Sequence, residues 1–245
     1  MNIFDNWSVV LMQRAEKSTL SRRKIMDAAL DELEKKNYDA VSLNAVCANV
    51  GLSKGMVYYY FKNKDALYLA CVEECYTLLT NYLRPSVDSW EKWNCARPEE
   101  LLQQYSNERM IFFRQNPRYL RLYCQAENDP PEHLAPAIKQ LRKSYSSLSR
   151  RIRRFIAGKI KLNGMFTLEE FAELMALFHD LFQSRMRQAL RESRLSDDWL
   201  MQQEIFFLTV LKAFLYGTLA SEARGVSSPA GTRSGAGRRH RKIMK

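Results

Sequence analysis

Apolar positions recur with a helical period along most of the chain. Ile25, Ala28, Ala29 and Leu33 fall at three- and four-residue intervals, which lays one apolar stripe on a helix predicted to begin near Ser21 and to end around Lys36 and Asn37. Leu43, Val46, Cys47 and Val50 repeat the pattern over two turns. Ser42 is placed to cap the start of that helix, and Gly51 takes the left-handed position after its end. A third short helix is capped by Ser53, presents Lys54 to Phe61 and breaks at Lys62 and Asn63. Asn63 caps a fourth helix, predicted to run to about Leu83 before Pro85 and to bridge two parts of the chain.

Further helices are predicted over residues 98–115, 117–127, 132–162, 168–192 and 198–221, with starts marked by Pro98, Pro117, Thr167 and Ser196 or Asp197. The last two carry more than one apolar stripe: Phe171, Leu174, Met175, Phe178 and Phe182 in one, and Ile205, Phe206, Leu208, Leu211 and Leu215 in the other. A helix apolar on two faces needs two partners. No stretch alternates as a strand does, and no internal repeat is present. The segment after Gly225 is rich in Gly, Ser and Arg and is expected to be disordered.

Composition supports this all-α reading. The 245 residues include only 9 Gly and 7 Pro, and 46% are hydrophobic, so few breakers interrupt long helices in a chain able to bury a sizeable core. Five cysteines (Cys47, Cys71, Cys75, Cys95 and Cys124) are odd in number and come without a secretory signal, which points to reduced thiols and a cytoplasmic location. The most apolar run, Ile205 to Ala220, is too short for a bilayer and holds Lys212, so no membrane partner is expected.

The net charge of +11 does not mark a nucleic-acid site by itself. Residues 1–75 carry ten Lys and Arg against ten Asp and Glu, and residues 225–245 carry six cations and no acid. Local distribution is more telling: between Ala40 and Lys64 stand Lys54, Lys62 and Lys64 without one carboxylate. A short helix, a glycine-centred turn and a second short helix form a helix-turn-helix, whose second helix enters the DNA major groove by its N-terminal end. With Val57, Phe61 and Leu52 turned to a three-helix core, Lys54, Gly55 and Tyr58 point outward, flanked by Met56, Tyr59 and Tyr60. Lys54 suits guanine or a phosphate, Met56 a thymine methyl, and Gly55 lets the backbone approach the bases. Tyrosine hydroxyls, Ser42 with the amides behind it, and Lys64 suit phosphates.

The run SLNAVCANVGLSKGMVYYYFKNKDAL, Ser42 to Leu67, resembles the N-terminal signature of the TetR family of bacterial transcriptional regulators. The matching positions are Ser42, Val46 to Ala48, Gly51 to Ser53, Gly55, Val57 to Phe61 and Asn63 to Leu67; Tyr60 stands where many members have His. The resemblance implies a homodimer on a pseudo-palindromic double-stranded operator, with phosphate contacts at Ser42, Tyr58, Tyr59, Tyr60 and Lys64 and base contacts at Asn44, Lys54, Gly55 and Met56. Ser53 opens the reading helix and joins that surface. It also implies that the last two helices pair with their symmetry mates, and that the larger domain binds a small-molecule effector. The expected organisation is an N-terminal extension over 1–20, a helix-turn-helix DNA-binding domain over 21–66, a helical effector-binding and dimerisation domain over 67–224 and a basic tail over 225–245.

Other clusters carry bland readings. Cys71 and Cys75 are four apart on a helix but have no third ligand in sequence, so buried thiols are favoured over a metal. His133, His179 and His240 share no motif spacing. No nucleophile elbow, P-loop or dinucleotide fingerprint is present, so neither an enzyme nor a cofactor is expected. Residues Lys139 to Lys161 hold nine cations and no acid; a solvated face is favoured over an anion or nucleic-acid contact. Trp90, Trp93, Tyr105, Met110, Phe112, Phe113, Tyr119 and Tyr123 make the middle aromatic, as a core does and as an effector cavity also does. A ligand-independent DNA-binding structural or cell-cycle protein of the same fold is the alternative function.

Overall fold

The computed structural model describes residues 3–90, 98–157 and 167–220. The basic tail, Cys95 and the end of the cationic run lie outside the described residues. Among the described residues ten α-helices follow one another: α1 (Ile3–Leu33), α2 (Leu43–Val50), α3 (Lys54–Tyr60), α4 (Lys64–Trp90), α5 (Pro98–Gln115), α6 (Arg118–Asn128), α7 (Ala135–Leu141), α8 (Lys143–Ala157), α9 (Leu168–Arg191) and α10 (Asp197–Ala220). Single 3-10 turns sit at Tyr38–Ala40 and Glu132–Leu134, and no strand occurs among the described residues. Within those residues no helix is long and apolar enough to cross a membrane.

The first three helices fold as their caps dictate. Ser42 Oγ accepts from the Ala45 amide at 3.1 Å, Ser53 Oγ from the Met56 amide at 3.3 Å and Asn63 Oδ1 from the Ala66 amide at 2.8 Å, so each start satisfies one of its unpaired donors. Gly51 ends α2 at φ 67°. A Cβ there would meet nothing within 4 Å, so glycine is required by the left-handed backbone and not by space. Ile25, Ala28, Ala29 and Leu33 of α1 are buried with Val46, Cys47, Val57 and Phe61, the core that the apolar spacing predicts.

From there α4 runs as a central post. Its buried positions Leu67, Tyr68, Cys71, Val72, Cys75, Tyr76, Leu79, Leu83 and Val87 pack against α1, α5, α6, α7 and α8. Burial pushes the Cys71 and Cys124 thiols up to about 12, which keeps them protonated and unreactive at neutral pH. Beyond the post, α5 packs on α10 and α6 on α9.

Three helix boundaries differ from the sequence reading. The first helix begins at Ile3 instead of near Ser21; residues 3–20 contain no Gly or Pro, and extending an existing helix costs far less than nucleating one. The fourth continues through Pro85 to Trp90. Pro85 removes the bond to the Asn81 carbonyl and crowds that group, but both residues are exposed, so the freed carbonyl faces solvent and the helix tolerates the break. Residues 132–157 are a turn and two helices instead of one rod, interrupted at Arg142, whose amide bonds to the Ile138 carbonyl at 2.9 Å.

Candidate nucleic-acid interface

The short helix α3 is held by one face and offers the other. Val57 and Phe61 are buried, and Leu52 packs beside them. Ser42, Asn44, Ser53, Lys54, Gly55 and Met56 are exposed, as are Tyr58 at 52% and Tyr59 at 79%. Tyr60 is half-buried against the core, with its ring edge-on to Tyr59 at 5.1 Å. A Cβ at Gly55 would also meet nothing within 4 Å, so packing inside the chain does not demand glycine there. The outward residues form one surface of cation, hydroxyl and apolar groups without a carboxylate between Ala40 and Lys64.

Lys64 is engaged inside the chain. Its ammonium donates to the carbonyls of Tyr38 at 2.8 Å, Val41 at 3.0 Å and Asp39 at 3.4 Å, and it stands 4.1 Å from the Tyr38 ring centroid. Three carbonyls at the end of a 3-10 turn and a cation that has three donors fit one another. Lys64 therefore ties the segment before α2 to the start of α4, a task that its place in the sequence does not reveal.

Helix α1 and the Tyr38 turn after it are joined to the rest of the chain by polar contacts on two sides. On one, the Gln125 amide oxygen accepts the buried Tyr38 N–H at 3.0 Å, and Arg121 donates to Asn37 Oδ1 at 3.0 Å. On the other, Arg118 reaches Asp27 at 3.1 Å and Asp31 at 3.2 Å. Arg23 pairs with both Asp27 and Glu74, and the Tyr119 hydroxyl donates to Glu74 at 2.7 Å. Arg118, Arg121 and Gln125 recur at three and four residues along α6, so this helix grips α1 and the turn after it directly. The sequence reading gave the bridging role to α4 alone; the polar stripe on α6 was the available signal. Asn37, Asp39, Gln125, Asp129 and residues 130–133 line a polar cavity of about 250 Å³ at the same joint.

Two carboxyls at the joint titrate with it. The hydrogen bond from Arg23 holds Asp27 below the usual carboxylate range, and the hydrogen bond from the Tyr38 hydroxyl does the same for Asp65, with His133 at 3.5 Å beside it. Because the folded values lie below the unfolded ones, this stabilisation is complete above the unfolded value of about 3.9 and disappears as pH falls through the folded value. The melting temperature is therefore expected to drop as pH is taken below about 4, and Asp27→Asn should flatten that drop; an unchanged acid limb would remove Asp27 from the account.

Comparison with known proteins follows the same outline. Residues 25–71 match the family model of bacterial regulatory proteins, tetR family. The chain is 31% identical over 156 residues to the biofilm operon icaADBC HTH-type negative transcriptional regulator IcaR of Staphylococcus aureus, covering 63% of this chain and 78% of that one. Among solved structures, the fold is similar to a TetR regulatory protein of Rhodobacter sphaeroides (TM-score 0.53, 19% identity, 78% of this chain and 98% of that one). It is also similar to the fatty acid degradation regulator FadR of Bacillus halodurans (TM-score 0.55, 17% identity, 77% and 94%).

Proposed function

Because the chain belongs to the TetR family of bacterial regulatory proteins, we propose that it is a dimeric repressor that reads a pseudo-palindromic DNA operator through α3 and is released by a small-molecule effector. The observation that carries the reading is the two-sided α3: Val57 and Phe61 fix it to the core while Lys54, Gly55, Met56, Tyr58 and Tyr59 stand free in one surface. Glycine at position 55 serves close approach to base edges, since nothing in the chain itself requires it. Lys54 and Met56, with Asn44 from α2, face the bases; Ser42, Ser53 and the hydroxyls of Tyr58, Tyr59 and Tyr60 face phosphates on either side. Two copies place their α3 helices in successive major grooves, about 34–36 Å apart. The reading unit spans residues 21–66 and the sensing and pairing unit 67–224.

Pairing is assigned to α9 and α10. Leu177 and Leu181 of α9 and Ile205 and Phe206 of α10 are large, apolar and exposed in the single chain, and Phe182 and Phe207 bring the two helices together at 6.1 Å between ring centroids. An apolar patch of this kind on a monomer marks an interface. The negative regulator IcaR supplies the direction of regulation. Effector binding acts by favouring one separation of the two α3 helices over another, and both α4 and α6 transmit the change because both touch α1 and the Tyr38 turn.

Selection of bound duplexes from random sequence tests the reading: a two-fold motif is expected, and the absence of any selected duplex at low salt would defeat it. Lys54→Ala is expected to change the preferred base at one position in each half-site, by about 1–3 kcal/mol of discrimination, without altering the melting temperature. Lys64→Met is expected to lower the melting temperature, by leaving carbonyls at the Tyr38 turn unpaired, and to weaken all duplexes together. The reverse assignment of the two effects would exchange their roles.

A further inference from the structure

Helix α8 buries one face and gives the other a single kind of chemistry. Tyr145, Leu148 and Ile152 are buried, and the helix packs on α4, α5 and α7. On the opposite side Lys143, Ser147, Arg150 and Arg154 recur at intervals of four, three and four residues, all of them exposed, which sets them in one stripe along the helix axis. The exposed residues described on α8 are these four and Ser144, with no carboxylate and no apolar group among them. Neighbouring acids are engaged by other cations, Glu127 by Arg142 at 2.9 Å and Asp88 by Arg151 at 2.5 Å. Among the described residues Lys143, Arg150 and Arg154 have no ion pair.

Cations held in a row attract a partner whose negative charge is also spaced along a line. From Lys143 to Arg154 the stripe rises about 16 Å, a length over which one strand of duplex DNA carries about five phosphates. Serine hydroxyls beside cations suit phosphate oxygens. Other polyanionic partners need groups that this face lacks. A single strand stacks its bases on exposed aromatic rings, a membrane surface takes apolar anchors, and the core of a protein interface is apolar; Tyr145 is buried and Phe155 packs on the core. We propose that this stripe is a second DNA contact, independent of sequence, which holds the phosphate backbone of a duplex other than the one in the α3 groove. Its place along the central post separates the two. Tyr145 stacks on Tyr76 at 5.7 Å and Arg151 reaches Asp88, levels about 18 Å and 36 Å along α4 from its start at Lys64. A straight duplex lying across α3 stays at the foot of that post. The protein therefore bridges an operator, fixed by base contacts, and a neighbouring stretch of DNA, held by charge. Bridging rests on the operator reading above; the phosphate contact of α8 stands apart from it.

The test uses the full chain, a labelled mixed-sequence duplex of about two helical turns without a two-fold repeat, and anisotropy over a range of salt. Lys143→Gln, Arg150→Gln and Arg154→Gln made together are expected to weaken this duplex about tenfold or more and to lower the slope of log affinity against log salt by about 2 to 3. The melting temperature should hold, since all three residues are exposed. With the protein seated on an immobilised operator duplex from the selection above, the unaltered chain should capture the labelled duplex, and the triple variant should hold the operator and capture none. Lys143→Arg, Arg150→Lys and Arg154→Lys together keep the charges and should restore capture. An unchanged salt slope, or capture that persists in the triple variant, would overturn the proposal. An oligoglutamate that competes as well as a duplex of equal charge would overturn it too, by assigning the stripe to an acidic protein. The two readings fail separately. If no two-fold motif is selected while the triple variant still lowers the salt slope, the operator reading falls and the α8 contact stands. A selected operator, with equal binding of the mixed-sequence duplex by both proteins, defeats the α8 contact and leaves the operator reading intact.

Discussion

Replacing Leu177 by arginine is expected to give a folded chain that elutes as a monomer and holds its operator roughly 100-fold or more less tightly than the unaltered protein. Leu177 is 67% exposed and Leu181 54%, so within one chain the substitution removes little packing, and surface changes of that kind lie within about 0.5 kcal/mol. A two-fold interface alters the accounting. In the proposed pairing the same residue enters twice, and each copy brings a further guanidinium to a surface where Arg185 already stands 5.6 Å from the Phe206 ring centroid. The loss at the operator follows because a tethered pair of readers binds the second half-site at high effective concentration, whereas a monomer gains nothing from the first contact. Leu20→Arg is the matched control: Leu20 is 61% exposed on α1, outside the proposed interface, and should change neither elution nor affinity. A Leu177→Arg protein that remains dimeric by light scattering would move the interface elsewhere on the chain.

What the sequence discloses follows from how local each signal is. Ser42, Gly51, Ser53 and Asn63 are legible because caps and left-handed turns depend on two to four neighbouring residues. Val57 and Phe61 are legible because a four-residue interval fixes which face of a short helix meets the core. Pro85 misleads because its cost depends on whether the carbonyl of Asn81 is wet, a tertiary fact. Arg142 interrupts a helix within a run that has good helical composition, again for reasons that lie in packing. Lys64 and Asp65 read as a cation and an acid at a helix start, but their partners at Tyr38 are more than twenty residues away. The buried Arg109–Glu204 pair is further out of reach: α5 and α10 bring it together across 95 residues, and Glu204 stands directly before an apolar pair that draws the eye instead.

Phe61→Ala is expected to abolish operator binding while leaving the dimer intact. Phe61 is 3% exposed, closes α3 by donating its amide to the Val57 carbonyl at 2.9 Å, and has the Arg22 guanidinium 5.2 Å from its ring centroid. Removing a buried phenyl ring costs about 3–5 kcal/mol. A unit below about 70 residues rarely owns more stability than that, and the proposed reader is smaller still. The opposing consideration is that its core is continuous with that of the bundle: Ile25, Val57 and Phe61 belong to one buried cluster with Leu79, Phe113 and Ile152. Continuity lets the bundle support the reader, but the support passes through α4 and the polar grip of α6, and neither fills the space left by the ring. Local opening is therefore favoured over global loss. Hydrogen exchange should become fast across α2 and α3 while the amides of α8 keep their protection, and Phe61→Leu, which retains most of the volume, should restore much of the binding. If instead the whole chain melts earlier in one step, with unchanged operator affinity per folded molecule, reader and bundle form a single cooperative unit and the division at the start of α4 has no energetic meaning.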